Sequence, residues 1–319
     1  MKLLIVILNY RTAKLTIDCL QSIAAQTADR TDTSVVVLEN GSGDNSAAEL
    51  GDTIAARGWS SRVELILSGT NLGFTAGNNL AIRRALDSPD PPDYFLLLNS
   101  DTVMLPGAID ALVQFMDDHP DVGIAGSRLE YPSGEVQGSP FRFHTVASEF
   151  DRGVAFGPVS RMLARWTRYD PKPTSAAPAE WVAGASMVLR RETIRVAGLF
   201  DEAFFAYFED MDYCRAAARK GWSTWYVPAS RVVHIEGASS GIRSGPYASP
   251  PAYYFEGRRR FFRKNYGEIY ASAADAALIA GCAAGLLYAM IRRREVRTAV
   301  LKLRDAWRHS VFAVGLREV

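Results

Sequence analysis

The apolar run Phe95–Leu98 stops abruptly at Asn99-Ser100-Asp101. In an extended segment, residues i and i+2 point the same way, so Asn99 and Asp101 offer two oxygen donors to one target. Such donors suit Mg2+ or Mn2+, which bind through one or two carboxylates together with a substrate's phosphates. A turn that merely uses Asn and Asp has the same N-x-D spelling, and the residues alone leave both readings open. Further along, Glu209-Asp210 opens a helical pattern, where acidic side chains complement the positive end of the helix and an ionised carboxylate can act as a base. His234 closes a strand-like segment, either bonded to backbone or serving as a ligand.

Short apolar runs at Leu3–Leu8, Val35–Leu38, Val63–Leu67 and Phe95–Leu98 alternate with segments of helical spacing. Three runs are uninterrupted, which predicts strands covered on both faces of a mainly parallel sheet. Each run ends in polar residues or glycine: Asn9-Tyr10, Glu39-Asn40-Gly41-Ser42, Asn71-Leu72-Gly73-Phe74 and Asn99-Ser100-Asp101. In an open parallel sheet these carboxyl ends share one edge, where ligands bind. Beyond them, the pattern predicts a helix from Pro106 to His119, a strand at Val122–Ala125 and long loops with a short helix over Tyr131–Pro178. A strand at Trp181–Arg190 and a helix at Arg191–Ala197 follow. Then come a helix at Glu209–Lys220 capped by Gly221 and a strand at Ser223–Val227 closed by Pro228.

Near-neutral net charge (+1) and 22% charged residues are ordinary for a globular protein, so no nucleic acid partner is implied. The basic charge is concentrated: residues 258–319 hold 13 Lys and Arg against 5 Asp and Glu. Within this tail, 276–291 is uncharged, contains Gly281-x-x-x-Gly285 and precedes Arg292-Arg293-Arg294. It is shorter than the roughly 20 residues a spanning helix needs. Lying in the membrane interface, packing on the rest of the chain and packing on a second subunit as a homodimer are the three readings of it. The three scattered cysteines predict neither disulfides nor a zinc site and fit a reducing compartment. The apolar core of MKLLIVILNYR is too short for an export signal and reads as a buried first strand. G-x-G-x-x-G, the Walker phosphate loop and G-x-S-x-G are all absent.

The stretches VILNYR, VVLENGSGD, NLGFTAGNN, LLLNSDTVM, WVAGASMVLRRE, FDEAFFAYFEDMDYCRAAARKGW and VVHIEG span Met1 to Gly237. Their order and spacing resemble glycosyltransferase family two, inverting enzymes of the glycosyltransferase-A fold, in its rhamnosyltransferase-like branch. The resemblance implies an α/β fold with a Rossmann-like, mainly parallel sheet flanked by helices and a C-terminal helical appendage. It implies a catalytic domain over 1–246, with a nucleotide-sugar half (1–104) and an acceptor and catalytic half (105–246), and a helical tail over 247–319. It further implies nucleotide-sugar contacts from Asn9, Tyr10, Glu39, Asn71, Gly73, Asn78, Asn99 and Asp101. Asp101, Asn99 and His234 would bind Mg2+ or Mn2+, and Glu209 and Asp210 would be the catalytic pair, with Asp210 the general base. Trp181 and Gly184 would meet the acceptor; packing in the core is the other reading of Trp181.

Two positions depart from the family pattern: Glu39 stands where aspartate is usual, and Asn99 replaces the first carboxylate of D-x-D. The implied donor is dTDP-rhamnose and the implied acceptor a glycan or polyprenyl-linked hydroxyl, at the inner face of the cell membrane with contact through 258–294. A sugar-phosphate nucleotidyltransferase and a non-catalytic nucleotide-sugar-binding protein are the rival readings. The first lacks its basic Gly-rich loop here, and Asp101 with Glu209-Asp210 speaks against the second.

Overall fold

The computed structural model describes every residue except 29, 139, 168–171, 236–248, 294 and 316–319. The last two residues of VVHIEG, the 246/247 boundary and Arg294 therefore lie outside the described residues. The first part alternates β1 (Leu3–Asn9), α1 (Ala13–Thr27), β2 (Thr33–Glu39), α2 (Ser46–Ala56), β3 (Val63–Leu67), α3 (Gly73–Leu86) and β4 (Tyr94–Asn99). It continues with β5 (Thr102–Met104), α4 (Ala108–Asp118), β6 (Val122–Glu130), α5 (Val146–Val154), α6 (Gly157–Thr167), β7 (Ala177–Ala179), β8 (Ser186–Arg190) and α7 (Arg191–Ala197). Then come α8 (Glu209–Arg219), β9 (Ser223–His234), α9 (Ala252–Tyr266), α10 (Glu268–Arg292), α11 (Val296–Arg308) and α12 (Val311–Val314).

One sheet runs β3-β2-β1-β4-β8-β6-β9-β5, with β7 also on β9. The four strands β3, β2, β1 and β4 are mutually parallel. Alternate residues explain why their sequences are continuously apolar. Leu3, Ile5 and Ile7 face a core built with α1, α2 and α4, while Leu4 and Val6 face one built with α3, α7 and α8. Each such side chain contributes about 1.5–3 kcal/mol when fully buried, so neither face tolerates a polar residue.

The second half departs from the sequence-based expectation in physical detail. β8 is antiparallel to both β4 and β6, so the sheet is mixed there. The predicted strand at Trp181 starts only at Ser186, and Pro106 precedes its helix rather than opening it. The 131–178 region, expected as loops with one short helix, holds α5, α6 and β7. Pro228 does not end its strand. β9 runs on to His234, with a register break opposite Ser127/Arg128 that leaves the proline outside the ladder. Its first part pairs with β7 and its last part with β5, setting His234 opposite Thr102.

The tail is part of the packing. Phe261, Phe262, Ala271 and Ala274 share a core with Phe204, Phe208 and Met211. The basic run on α9 is largely used inside the chain. Buried Arg258 pairs with Glu149 at 2.7 Å and with Asp275, Arg260 pairs with Asp201 at 3.0 Å, and Lys264 pairs with Asp212 at 2.5 Å. These side chains are not available to lipid, which narrows the membrane contact expected of 258–294. The Gly281/Gly285 face is also taken: a Cβ on Gly281 would run into the Phe150 carbonyl, and one on Gly285 would come within 3.0 Å of the Val154 carbonyl. The small-residue stripe lets α10 lie against α5, so the chain itself is its partner.

Candidate active site

The turn after β4 is locked from below. The Ser100 hydroxyl is 2.8 Å from that of Thr12, and the Thr102 hydroxyl donates to the Asn99 carbonyl at 2.7 Å. With those groups engaged, Asn99 and Asp101 line the open side. The register of β5 on β9 then brings Nε2 of His234 within 3.5 Å of Asp101 Oδ1 and 3.4 Å of Asn99 Nδ2. His234 Nδ1 is 3.0 Å from Gln137 Oε1, an oxygen that can only accept, so Nδ1 carries the proton. In the neutral ring, Nε2 then accepts from Asn99 Nδ2 while also standing against a carboxylate oxygen.

Asp101 is 2% exposed and its Oδ1 is buried with no hydrogen-bond partner. A buried carboxylate oxygen set against an imidazole nitrogen is satisfied by a cation, and O/N donors of this kind fit Mg2+ or Mn2+. Among the described residues no three His, Cys, Asp or Glu side chains cluster in a metal-binding arrangement. A metal here would therefore draw its remaining ligands from a bound diphosphate and water.

Asp210 sits at the second residue of α8. Its Oδ2 accepts from the Gly184 amide at 3.1 Å and its Oδ1 from the Met211 amide at 2.7 Å. Enclosure by protein pushes its carboxyl above the ordinary value, while those two amides and the charge of nearby His144 pull the other way. The helix N-terminus favours the charged form, as expected from sequence, but desolvation is the larger effect on this carboxyl. Glu209 is pushed well above its ordinary value by burial and then by the charge of Asp210, and its Oε2 has no partner. Of this pair, Asp210 is the one that accepts two amide hydrogen bonds, and Glu209 the one pushed up more strongly. Asp212 lies behind them, bonded to Lys264 and to Asn265, and joins α8 to α9.

Both halves open into one cleft of about 560 Å3, lined by Asn99, Asp101 and His234 on one side and by Gly184, Glu209 and Asp210 on the other. Tyr10, Asn71 and Gly73 also line it. Asn40 stitches the two loops: its Nδ2 donates to Asn71 Oδ1 and the Gly73 carbonyl, and its Oδ1 accepts from the Leu72 amide. Gly73 has φ +79°, and a Cβ there would stand 2.6 Å from the Phe205 carbonyl, so only glycine permits the approach.

The other residues singled out from sequence are placed behind the walls. Asn9 is fully buried and occupied with Thr12, Thr16 and Ser42, while Glu39 accepts from the Gly41 and Ser42 amides. Asn78 donates to the Phe74 carbonyl. Trp181 donates to the Arg142 carbonyl and stacks on Phe141 at 4.2 Å. Sequence reasoning missed the aromatic wall formed by Phe74, Phe205, Tyr207 and Tyr253. Tyr253 comes from α9, inside a segment that reads as a tail. Tyr207 and Phe208 carry φ of 70° and 71°, a left-handed strain held by packing immediately before the acidic pair. No sequence signal gave that strain away.

The sequence profile of Glycosyl transferase family 2 matches residues 4–170, and that of Glycosyl transferase family group 2 matches 94–295. The chain belongs to glycosyl transferase family 2. This family 2 chain is 30% identical over 219 residues to the N-acetylglucosaminyl-diphospho-decaprenol L-rhamnosyltransferase of Mycobacterium tuberculosis, covering 65% of this chain and 68% of that one. It is a glycosyltransferase of the rhamnosyltransferase-like kind. Its fold is that of two solved glycosyltransferases. GalNAc-T7 with UDP, GalNAc and Mn2+ superposes with a TM-score of 0.63 at 15% identity, over 86% of this chain and 51% of that one. The mannosyltransferase PcManGT of Pyrobaculum calidifontis, with GDP-Man and Mn2+, gives 0.59 at 16% identity, over 98% and 83%. The glycosyltransferase-A fold and C-terminal helical region expected from sequence are thus both present.

Proposed function

We propose that the protein transfers L-rhamnose from dTDP-rhamnose to a hydroxyl of a polyprenyl-linked glycan at the inner membrane face, with inversion at the anomeric carbon. The observation that carries the reading is the single cleft shared by Asp101 and Asp210. The acceptor oxygen attacks the anomeric carbon, the bond from that carbon to the diphosphate breaks, and Asp210 takes the hydroxyl proton. Asp101, His234 and Asn99 would hold a Mg2+ or Mn2+ ion, which when bound offsets charge on the leaving diphosphate. Glu209, pushed well above its ordinary value beside Asp210, is the weaker candidate for that proton. The decaprenol-linked acceptor and rhamnosyl donor in the name of the mycobacterial relative support the choice of substrates.

The same reading assigns residues 1–104 to the donor, 105–246 to the acceptor and chemistry, and 247–319 to a helical tail. Tyr253 lining the cleft makes that tail a wall of the site rather than a separable unit. The test is nucleoside diphosphate release from a panel of nucleotide sugars, with Mg2+ or Mn2+, with and without a polyprenyl-diphosphate saccharide. Acceptor-dependent release from dTDP-rhamnose is expected. Faster release from another sugar nucleotide would replace the donor assignment, and pyrophosphate chemistry would replace the reaction class.

A further inference from the structure

Helix α10 has 25 residues and is long and apolar enough, by length and composition, to cross a membrane. Its packing points elsewhere. Its first part carries Asp275, buried against Arg258 and accepting from the Val311 amide, and its middle lies on α5 through Gly281 and Gly285. Crossing a bilayer would strip away that ion pair and that helix contact. Toward its end the cover stops: Leu287 is 59% exposed, Met290 57% and Ile291 72%.

Arg293 and Glu295, both with φ of 51°, turn the chain into α11. That helix returns onto α10, with Leu303 packed against the Leu278–Cys282–Ala306 cluster. Along the edge of that contact Val296, Val300 and Trp307 are exposed, and their spacing of i, i+4 and i+11 puts them on one stripe beside Leu303. The hairpin tip is also one-sidedly basic, since residues 291–300 hold four Arg against one Glu. Exposed aliphatic residues beside exposed arginines are what an interfacial membrane contact requires. A second copy of the chain fits this surface poorly, because self-contact would bring like charges together.

We propose that the tip of the α10–α11 hairpin docks on an anionic phospholipid surface. Leu287, Ile291 and Val300 enter the headgroup–acyl boundary, while Arg292, Arg293 and Arg297 meet lipid phosphates. The inference deepens the reading of a membrane-linked acceptor and rests on it for its purpose. It moves the contact from the α9 bases, which are paired within the chain, to a surface that no catalytic residue occupies.

The test is co-sedimentation of the full chain with vesicles of phosphatidylcholine alone and of equal parts phosphatidylcholine and phosphatidylglycerol. Binding to the mixed vesicles should exceed binding to the neutral ones by roughly tenfold or more and should fall as salt rises. Arg292→Gln/Arg293→Gln and Leu287→Ser/Ile291→Ser should each lower it by about tenfold, with the thermal unfolding midpoint unchanged. Wild-type protein left in the supernatant, undiminished binding by both variants, release only by detergent, or a dimer lost in the tip variants would overturn the proposal. Turnover of a water-soluble acceptor should be unaffected by the tip variants. A failed donor panel with tip-dependent vesicle binding therefore indicts the reaction, and the converse indicts the docking surface.

Discussion

Nε2 of His234 faces Oδ1 of Asp101 across 3.5 Å, with Nδ1 of the same ring held 3.0 Å from Gln137. A buried carboxylate oxygen with no hydrogen-bond partner, set against an imidazole nitrogen, is balanced by a cation between them. Mn2+ should therefore raise the unfolding temperature of the wild-type protein, and Asp101→Asn and His234→Ala should lose that rise. Transfer by Asp101→Asn should drop by about 100-fold or more. Full turnover in excess chelator would dismiss the ion.

The pair at the start of α8 predicts a pH profile. Enclosure raises the Asp210 carboxyl above its ordinary 3.8, so the acid limb of the rate profile should lie above that value, with activity lost as pH falls through it. Asp210→Asn should cost about 100- to 10,000-fold in turnover while calorimetry finds donor affinity nearly unchanged. Glu209→Gln preserves the neutral form and should keep most of the activity, with the acid limb intact. Wild-type turnover in Asp210→Asn would remove the base.

The same two carboxyls should weaken the fold. A carboxyl whose folded pKa is raised binds its proton more tightly when folded, so stability is lost as pH rises from the unfolded value through the folded one. Glu209→Gln should accordingly raise the unfolding temperature well above pH 4.5, the ordinary Glu value, and leave it unchanged below. Equal shifts at both pH values would mean that packing, not charge, controls the change.

The parallel half of the fold was legible because burial on two faces leaves an unmistakable mark: Leu4 and Val6 serve one core, Leu3, Ile5 and Ile7 the other. The strand ends named the cleft for the same reason, since polar residues directly after such runs have only the sheet edge to occupy. The second half hid its order. Trp181 and Pro228 mislead because an isolated bridge and a bulged ladder have no period. Tyr253 was invisible as a wall residue because its place depends on ion pairs, such as Arg260 with Asp201, between segments far apart in sequence. Asn9, Glu39 and Asn78 carry the polar character of site residues, yet their hydrogen bonds are spent on the loops behind the cleft.

Glu149 is the knot that fastens the helical tail. It is fully buried on α5, with Arg152 at 2.6 Å, Arg258 at 2.7 Å and His144 at 3.0 Å. Despite burial, the two arginines and His144 hold its carboxyl far below the ordinary range. Glu149→Gln leaves Arg258 buried with only Asp275, and should cost about 3–5 kcal/mol at neutral pH by denaturant unfolding. The folded pKa is depressed, so this stabilisation is present above the ordinary 4.5 and lost as pH falls through the folded value. The gap between wild type and variant should therefore narrow in acid. His144 also packs edge-on against Phe208, the residue before the acidic pair. Loosening the knot should thus reach the cleft, raising KM for the acceptor before kcat falls. A variant as stable as wild type at neutral pH would show that α9 is held by its aromatic core alone.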